Sequence, residues 1–106
     1  MEEHSAPMTE AMYYILLALF HPGHGYAMMQ RIRELSGGRL VMGPGTLYGV
    51  LTRMRQAGWI TLDEDDGRRK TYRSTDLGRR ELLTEYRRLE RLMEDGAFLK
   101  GERSDG

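Results

Sequence analysis

The segment GPGTLYGVLTRMRQAGWI, residues 43–60, constrains the fold more strongly than any other part of the chain. It begins with a Gly-Pro-Gly turn, and Pro44 presets the backbone for the first turn of a helix. Helical spacing then predicts one buried face, formed by Leu47, Val50, Leu51, Met54 and Gly58. The opposite face lacks the usual Glu and Lys and carries Gly45, Tyr48, Gly49, Thr52, Arg53 and Gln56. Such a face favours close approach to a specific partner.

The rest of the chain predicts three further helices and a β-hairpin from its hydrophobic periodicity and turn residues. In chain order we expect a helix over about residues 9–20 capped by Thr9, a helix over 25–35 ended by Gly37-Gly38, the helix of segment 43–60, strands 59–64 and 70–74 around an Asp65-Asp66-Gly67 turn, and a long helix from Thr75 or Asp76 to about Asp95. A tight turn before the third helix and a hairpin directly after it are typical of winged helix-turn-helix proteins.

We therefore predict an α+β, mostly helical fold: a winged helix-turn-helix with an additional C-terminal dimerisation helix. Residues 1–8 are expected to be a flexible N-terminus and residues 9–75 the DNA-binding domain. Residues 76–96 are expected to form the dimerisation helix, and residues 97–106 a flexible tail.

Composition excludes several function classes. The 106 residues include no Cys and three His, and no pair of carboxylates lies in an apolar setting, so we predict neither an enzyme nor a cofactor or metal site. His21 and His24 flank a turn, which a helix-turn sequence explains as well as an incomplete metal site does. The apolar run over residues 13–20 is too short to cross a bilayer and the N-terminus is acidic, so a cytoplasmic location is expected.

The net charge is zero, but the charges are unevenly distributed. Between Arg68 and Arg80 there are six basic residues and one acid, a local balance of +5. The basic residues of this segment begin at and just past the turn of the predicted hairpin, where a wing would touch DNA phosphates. The alternative is a solvated hairpin in which the acids of residues 63–66 neutralise its charge.

A helix that enters a DNA groove favours small residues, hydroxyls and an arginine able to bind guanine or phosphate. The sequence therefore predicts DNA contacts from Gly45, Thr46, Tyr48, Thr52 and Arg53. Tyr26 either binds a phosphate or packs, and the sequence leaves both open.

The last predicted helix carries a narrow apolar seam. Leu82, Tyr86, Leu89 and Met93 are spaced four, three and four residues apart, and such a seam needs another helix to cover it. The first helix is apolar nearly all round and is the natural cover, through Met12, Ile15, Leu16 and Leu19. We therefore predict a homodimer.

These motifs resemble the PadR family of bacterial transcriptional regulators. The resemblance covers about residues 8–93 and rests on HGYAMMQRI, on GTLYGVLTRMRQAGWI and on DGRRKTYRSTDLGRREL, which match the family's H-G-Y, GTLYP, G-R-x-K-x-Y and T-x-x-G patterns. It implies winged-helix dimers that mostly repress promoters and are often released by small molecules. It also implies DNA contacts from Thr46, Leu47 and Tyr48, from a wing tip formed by Arg68, Arg69 and Lys70, and from the wing tyrosine Tyr72.

The chain departs from the family pattern at two positions. Gly49 stands where the family usually has Pro, and Leu89 stands where many short members have a Trp that stacks on planar ligands. Methionines on the two helices predicted to meet could line an adaptable apolar pocket, although packing alone also explains them. We therefore expect any effector to be small and apolar, bound by Met8, Met12, Leu89 and Met93.

The expected function is that of a homodimeric repressor that binds double-stranded DNA at a pseudo-palindromic operator and is released by a small apolar effector. One alternative is a winged-helix protein-interaction module without DNA binding. Another is a multidrug or phenolic-compound sensor whose main feature is ligand capture between subunits.

Overall fold

The protein is described by a computed structural model that covers residues 8–64 and 70–102. The elements are α1 (Glu10–Ala18), α2 (Gly25–Leu35), α3 (Pro44–Gln56), β1 (Ile60–Glu64), β2 (Lys70–Ser74), α4 (Asp76–Asp95) and a 3₁₀ helix (Ala97–Gly101). Their order confirms the predicted winged helix-turn-helix followed by a long helix. The predicted turn Asp65-Asp66-Gly67 and the predicted wing-tip residues Arg68 and Arg69 lie outside the described residues.

The two strands form one antiparallel sheet, the wing, in which Ile60 pairs with Ser74 and Glu64 with Lys70. A backbone bridge extends this sheet to the turn between α1 and α2. The Tyr72 amide donates to the Gly23 carbonyl at 2.8 Å, and the Gly23 amide donates to the Tyr72 carbonyl at 3.1 Å. The wing is therefore tied to the helical part of the domain as well as to α3.

The helix ends follow local chemistry. The Thr9 hydroxyl accepts the Met12 amide at 3.1 Å and caps the start of α1, as predicted. At the other end, one guanidinium nitrogen of Arg31 in α2 donates to the Ala18 carbonyl at 2.9 Å and to the His21 carbonyl at 2.8 Å. Arg31 thus satisfies carbonyls that the end of α1 leaves without helical partners.

The hydrophobic core lies where α1, α2, α3 and α4 meet, and the wing residues Trp59, Ile60 and Tyr72 close one side of it. Ile15, Leu16 and Leu19 are fully buried there, so the prediction that they form a dimer face is wrong. The physical reason is that α1 packs against α2, α3 and α4 of its own chain, and these helices cover most of its apolar circumference. Leu82 is likewise buried within the chain.

The joint between the wing and α4 is a single residue, Thr75. Its hydroxyl accepts the Gly78 amide at 3.0 Å and donates to the Gly58 carbonyl at 2.7 Å. Its backbone amide donates to the Trp59 carbonyl at 3.0 Å. Gly58 has a φ of 81°, which favours glycine, and it lies in the short turn between the end of α3 and the start of β1.

Gly78 completes this joint because its lack of a side chain lets α4 lie directly on the backbone of Trp59. A Cβ at position 78 would overlap the Trp59 carbonyl oxygen. Thr75 and Gly78 form the T-x-x-G pattern, and each has a structural role. The Thr75 hydroxyl caps α4 and binds the preceding turn, whereas Gly78 allows α4 to approach the Trp59 backbone closely.

The two chain ends differ from the expectation in part. Residues 97–101, assigned by sequence to a flexible tail, form a 3₁₀ helix. Met8, assigned by sequence to a flexible N-terminus, packs against the core. Across residues 8–64 and 70–102, no helix is long and apolar enough to span a membrane.

Candidate nucleic-acid interface

The outward face of α3 is polar and open. Its buried side consists of Leu47, Val50, Leu51 and Met54, as the helical spacing predicts. Its exposed side carries Gly45, Thr46, Tyr48, Gly49, Thr52, Arg53 and Gln56. A Cβ at either Gly45 or Gly49 would meet nothing within 4 Å, so these glycines leave the centre of the face flat. A flat strip of this kind allows close approach of another surface.

Two of the predicted DNA-contact residues belong to the core instead. Leu47 is 0% exposed and Tyr72 is 5% exposed, so the prediction that their side chains contact DNA is wrong. Leu47 falls on the inward side of α3 because it shares the helical spacing of Val50, Leu51 and Met54. The ring of Tyr72 points from β2 into the core and lies close to the ring of Tyr48 on α3.

The exposed face of α3 has two flanks. Tyr48 lies on the flank beside the wing, with its ring centre 6.5 Å from that of Tyr72. Thr46 and Arg53 lie on the opposite flank, as their positions on the helix require. A groove of about 570 Å³ runs between α3 and β1, lined by Thr52, Arg55, Gln56, Ile60, Thr61 and Leu62.

Arg55 is a cation on this groove that the sequence analysis does not single out. It lies seven residues after Tyr48 and so shares the wing-side flank. The spacing from Tyr48 is the signal that could have identified it. Arg53 and Arg55 are both exposed, and neither has a hydrogen-bond or ion-pair partner in the part of the chain that the structure describes.

Two hydroxyls near this face have defined hydrogen-bond states. The Thr52 hydroxyl donates to the Tyr48 carbonyl at 2.9 Å, so it can only accept from a ligand. The Tyr26 hydroxyl accepts from the Gln30 amide at 3.0 Å and keeps its own proton to donate. Tyr26 is exposed, so the packing alternative for this residue is not supported.

The basic segment of residues 68–80 is partly committed to internal contacts. Arg73 pairs with Asp63 across the wing at 2.8 Å. The Arg79 guanidinium donates to the Ser74 hydroxyl at 3.0 Å and lies 4.9 Å from the centre of the Phe20 ring. Lys70 is exposed and has no ion pair with any residue of 8–64 or 70–102. Among the described cations of this segment, Arg73 and Arg79 are therefore engaged in contacts within the chain, whereas Lys70 is not.

Burial raises the pKa of the Tyr72 hydroxyl, and the neighbouring Tyr48 adds to this effect while Arg55 opposes it. Tyr72 therefore remains a neutral phenol at physiological pH. The Tyr72 hydroxyl therefore adds no negative charge near Arg55.

Comparison with known proteins identifies the group to which this layout belongs. Residues 15–85 match the Transcriptional regulator PadR-like family, a span that includes α2, α3 and both strands of the wing. The chain is a member of this family.

The relatives support the same assignment. A PadR family transcriptional regulator from Eggerthella lenta superposes with a TM-score of 0.71 at 26% identity, over 87% of this chain and 82% of that one. PadR of Bacillus subtilis in complex with operator DNA superposes with a TM-score of 0.65 at 27% identity, over 76% of this chain and 48% of that one. This PadR-family chain therefore has the winged-helix fold of a DNA-binding regulator.

A protein in transposon TN4556 of Streptomyces fradiae, an uncharacterized 37.1 kDa protein, is 38% identical over 85 residues. This alignment covers 79% of the PadR-family chain but 24% of the relative. The chain thus spans about a quarter of the length of that curated relative.

The predicted dimer seam on α4 is open beyond Leu82. Leu89 is 36% exposed and Met93 is 77% exposed, and Tyr86 is also exposed. Met12 is half-buried against the core at the α1 side. Nearby, burial raises the pKa of Tyr13, with smaller contributions from Tyr86 and Glu85. The seam therefore begins at the edge of the core and continues outward along α4.

A cleft of about 630 Å³ lies at the end of α4, lined by Glu90, Leu92, Met93, Glu94, Gly96, Ala97, Leu99 and Lys100. Of the four residues predicted to bind an effector, Met93 is the one that lines it. Met8 and Met12 pack against the core instead, and Leu89 lies on the seam. A single chain therefore does not bring these four residues into one pocket.

Proposed function

We propose that this PadR-family regulator acts as a homodimeric repressor that binds a pseudo-palindromic operator through α3 and the wing. The observation that carries the proposal is the exposed polar face of α3, where Arg53 and Arg55 have no partner in residues 8–64 and 70–102. Cations that a fold leaves unpaired beside a flat, glycine-lined surface are suited to phosphates and guanine edges. The operator complex of the Bacillus subtilis relative supports the same function.

Arg53 is proposed to contact a base. Replacing Arg53 with Ala is expected to weaken binding to an operator duplex by about 1–3 kcal/mol, with a much smaller loss on random duplex, because a base contact carries sequence preference. Fluorescence anisotropy with both duplexes measures this difference. Arg91, exposed on α4, provides the matched control variant Arg91→Ala. Equal losses on the two duplexes would make Arg53 a phosphate contact.

The wing is proposed to contact phosphates through Lys70 together with Arg68 and Arg69. Replacing all three with Ala should weaken binding to every duplex and reduce the salt dependence of the affinity by about one unit of slope for each lost phosphate contact. Titrations at several salt concentrations give this slope. A slope equal to that of the wild type would place the wing outside the interface.

The alternative function is a winged-helix protein-interaction module. The unpaired Arg53 and Arg55 on α3 do not favour this alternative, because binding to a protein does not require arginines beside the exposed glycines Gly45 and Gly49. Titration of the wild type with labelled random duplex at two salt concentrations separates the two functions. Absence of salt-dependent binding would support the module.

An effector is proposed to be a small, flexible apolar molecule bound near the seam of the dimer. Leu89 provides no aromatic ring on which a planar ligand could stack, and Met93 beside the cleft of α4 provides an adaptable apolar surface. A screen of apolar compounds by thermal shift, repeated with operator present, tests this. If no compound changes either the melting temperature or DNA binding, the effector proposal is wrong.

A further inference from the structure

Gly25, the first residue of α2, is packed against the side chain of Tyr48 on α3. A Cβ at position 25 would overlap the Tyr48 hydroxyl oxygen and lie 2.9 Å from the ring carbon that carries it. Gly25 is buried, and its φ is not in the left-handed region, so the backbone conformation does not require glycine. The requirement comes from the Tyr48 ring.

The Tyr48 ring also lies close to the wing. Its ring centre lies 6.5 Å from that of Tyr72, at an interplanar angle of 48°. The Tyr72 backbone is itself paired with Gly23, two residues before Gly25. Tyr48 therefore occupies the point where the start of α2, the recognition helix α3 and strand β2 meet.

The Tyr48 side chain is nevertheless not enclosed by these contacts. The residue is 44% exposed, and its hydroxyl has no hydrogen-bond partner within residues 8–64 and 70–102. The fold thus fixes the direction of the ring by packing and leaves the hydroxyl unpaired. This arrangement is preorganised for a hydrogen bond to an external group.

We propose that Gly25 is a positioning residue for DNA binding: its missing side chain holds the Tyr48 hydroxyl at the start of α2, where it bonds the DNA backbone. The inference rests on the proposed function, because it takes the DNA contact of Tyr48 as given. Gly25 itself touches no DNA in this account. An added Cβ would meet the far end of a flexible side chain, so Tyr48 would turn away while the fold persists.

A double-mutant cycle tests this with Gly25→Ala, Tyr48→Ala and the combined variant, each titrated with a fluorescein-labelled duplex of random sequence. Each single variant is expected to weaken binding by about tenfold, the effect of one hydrogen bond to a charged group. The combined variant is expected to bind as Tyr48→Ala does, because the residue displaced by the new Cβ is already gone. Gly101→Ala, where a Cβ meets nothing within 4 Å, is the matched control.

A spectroscopic readout separates positioning from a general structural effect. With 3-fluorotyrosine incorporated, the ¹⁹F resonance that disappears in Tyr48→Phe belongs to Tyr48. We expect this resonance to shift in Gly25→Ala, together with that of Tyr72, whose ring lies 6.5 Å away, while the remaining tyrosine resonances stay in place. Were Gly25→Ala to lose its fold, Tyr48→Ala should restore it, and failure of the combined variant to fold would overturn the inference.

The outcomes distinguish this inference from the proposed function. Equal losses from Gly25→Ala with and without Tyr48 would overturn the positioning role. If Tyr48→Ala binds the duplex as tightly as the wild type does, the inference is overturned, whereas the proposed DNA binding is not. Absence of any duplex binding by the wild type would overturn the proposed function and this inference with it.

Discussion

The Gly78→Ala variant is expected to lose about 2–4 kcal/mol of its free energy of unfolding. Alanine is the better helix former by about 1 kcal/mol, but its Cβ would overlap the Trp59 carbonyl oxygen. That oxygen belongs to the backbone and accepts the Thr75 amide, so it cannot rotate away as a side chain would. Relief of the overlap requires α4 to move off the wing, with loss of the packing of Leu82. Urea denaturation measures the effect.

Gly49→Ala is the matched control, because it also places a Cβ on a helical glycine. Nothing lies within 4 Å of that Cβ, so this variant is expected to gain about 0.5–1 kcal/mol. A Gly78→Ala protein as stable as the Gly49→Ala protein would show that the close contact between α4 and Trp59 is absent in solution.

Replacing Leu89 with Glu is expected to convert the proposed dimer to a monomer. Leu89 lies at the middle of the α4 seam, where a partner helix would bury it, and an unpaired charge buried at such an interface costs about 3–5 kcal/mol. This corresponds to an increase of more than about a hundredfold in the dissociation constant of the dimer. Sedimentation velocity at micromolar concentration measures the mass, and operator binding should fall with it because one chain engages half of a palindrome.

Leu83→Glu controls for the added charge. Leu83 is also a partly exposed leucine of α4, but it lies about 100° around the helix from Leu82 and therefore off the seam. This variant should keep the mass of the wild type. A folded wild-type monomer at micromolar concentration would contradict the seam, and dissociation by both variants would place the interface elsewhere on α4.

Helix α3 shows how much of the structure hydrophobic periodicity alone predicts. The spacing of Leu47, Val50, Leu51 and Met54 predicts which side of α3 is buried, and the structure confirms it. The DNA contact assigned to Leu47 came from the family resemblance and conflicts with that same spacing. The position of a residue along a regular helix determines the direction of its side chain, whether or not the residue belongs to a family motif.

The first helix shows what periodicity leaves open. An apolar helix must be covered, but hydrophobic burial is non-directional and does not indicate whether the cover comes from the same chain or from a partner. Ile15 and Leu16 satisfy that requirement within their own chain. The need for glycine at positions 25 and 78 cannot be predicted from periodicity either. At each position an added Cβ would meet an atom that is distant in sequence and that only folding brings close.

The angle of the single-residue joint at Thr75 would affect the spacing of the two DNA sites that the proposed dimer binds. In the proposed dimer the two recognition helices are separated by the two copies of α4, each 20 residues and therefore about 30 Å long. A rotation of about 10° at Thr75 would displace the far end of α4 by about 5 Å. Successive base pairs are about 3.4 Å apart. A rotation of this size would therefore move the end of α4 by more than one base-pair step, so in the proposed dimer the hydrogen bonds around Thr75 would help to set the half-site separation.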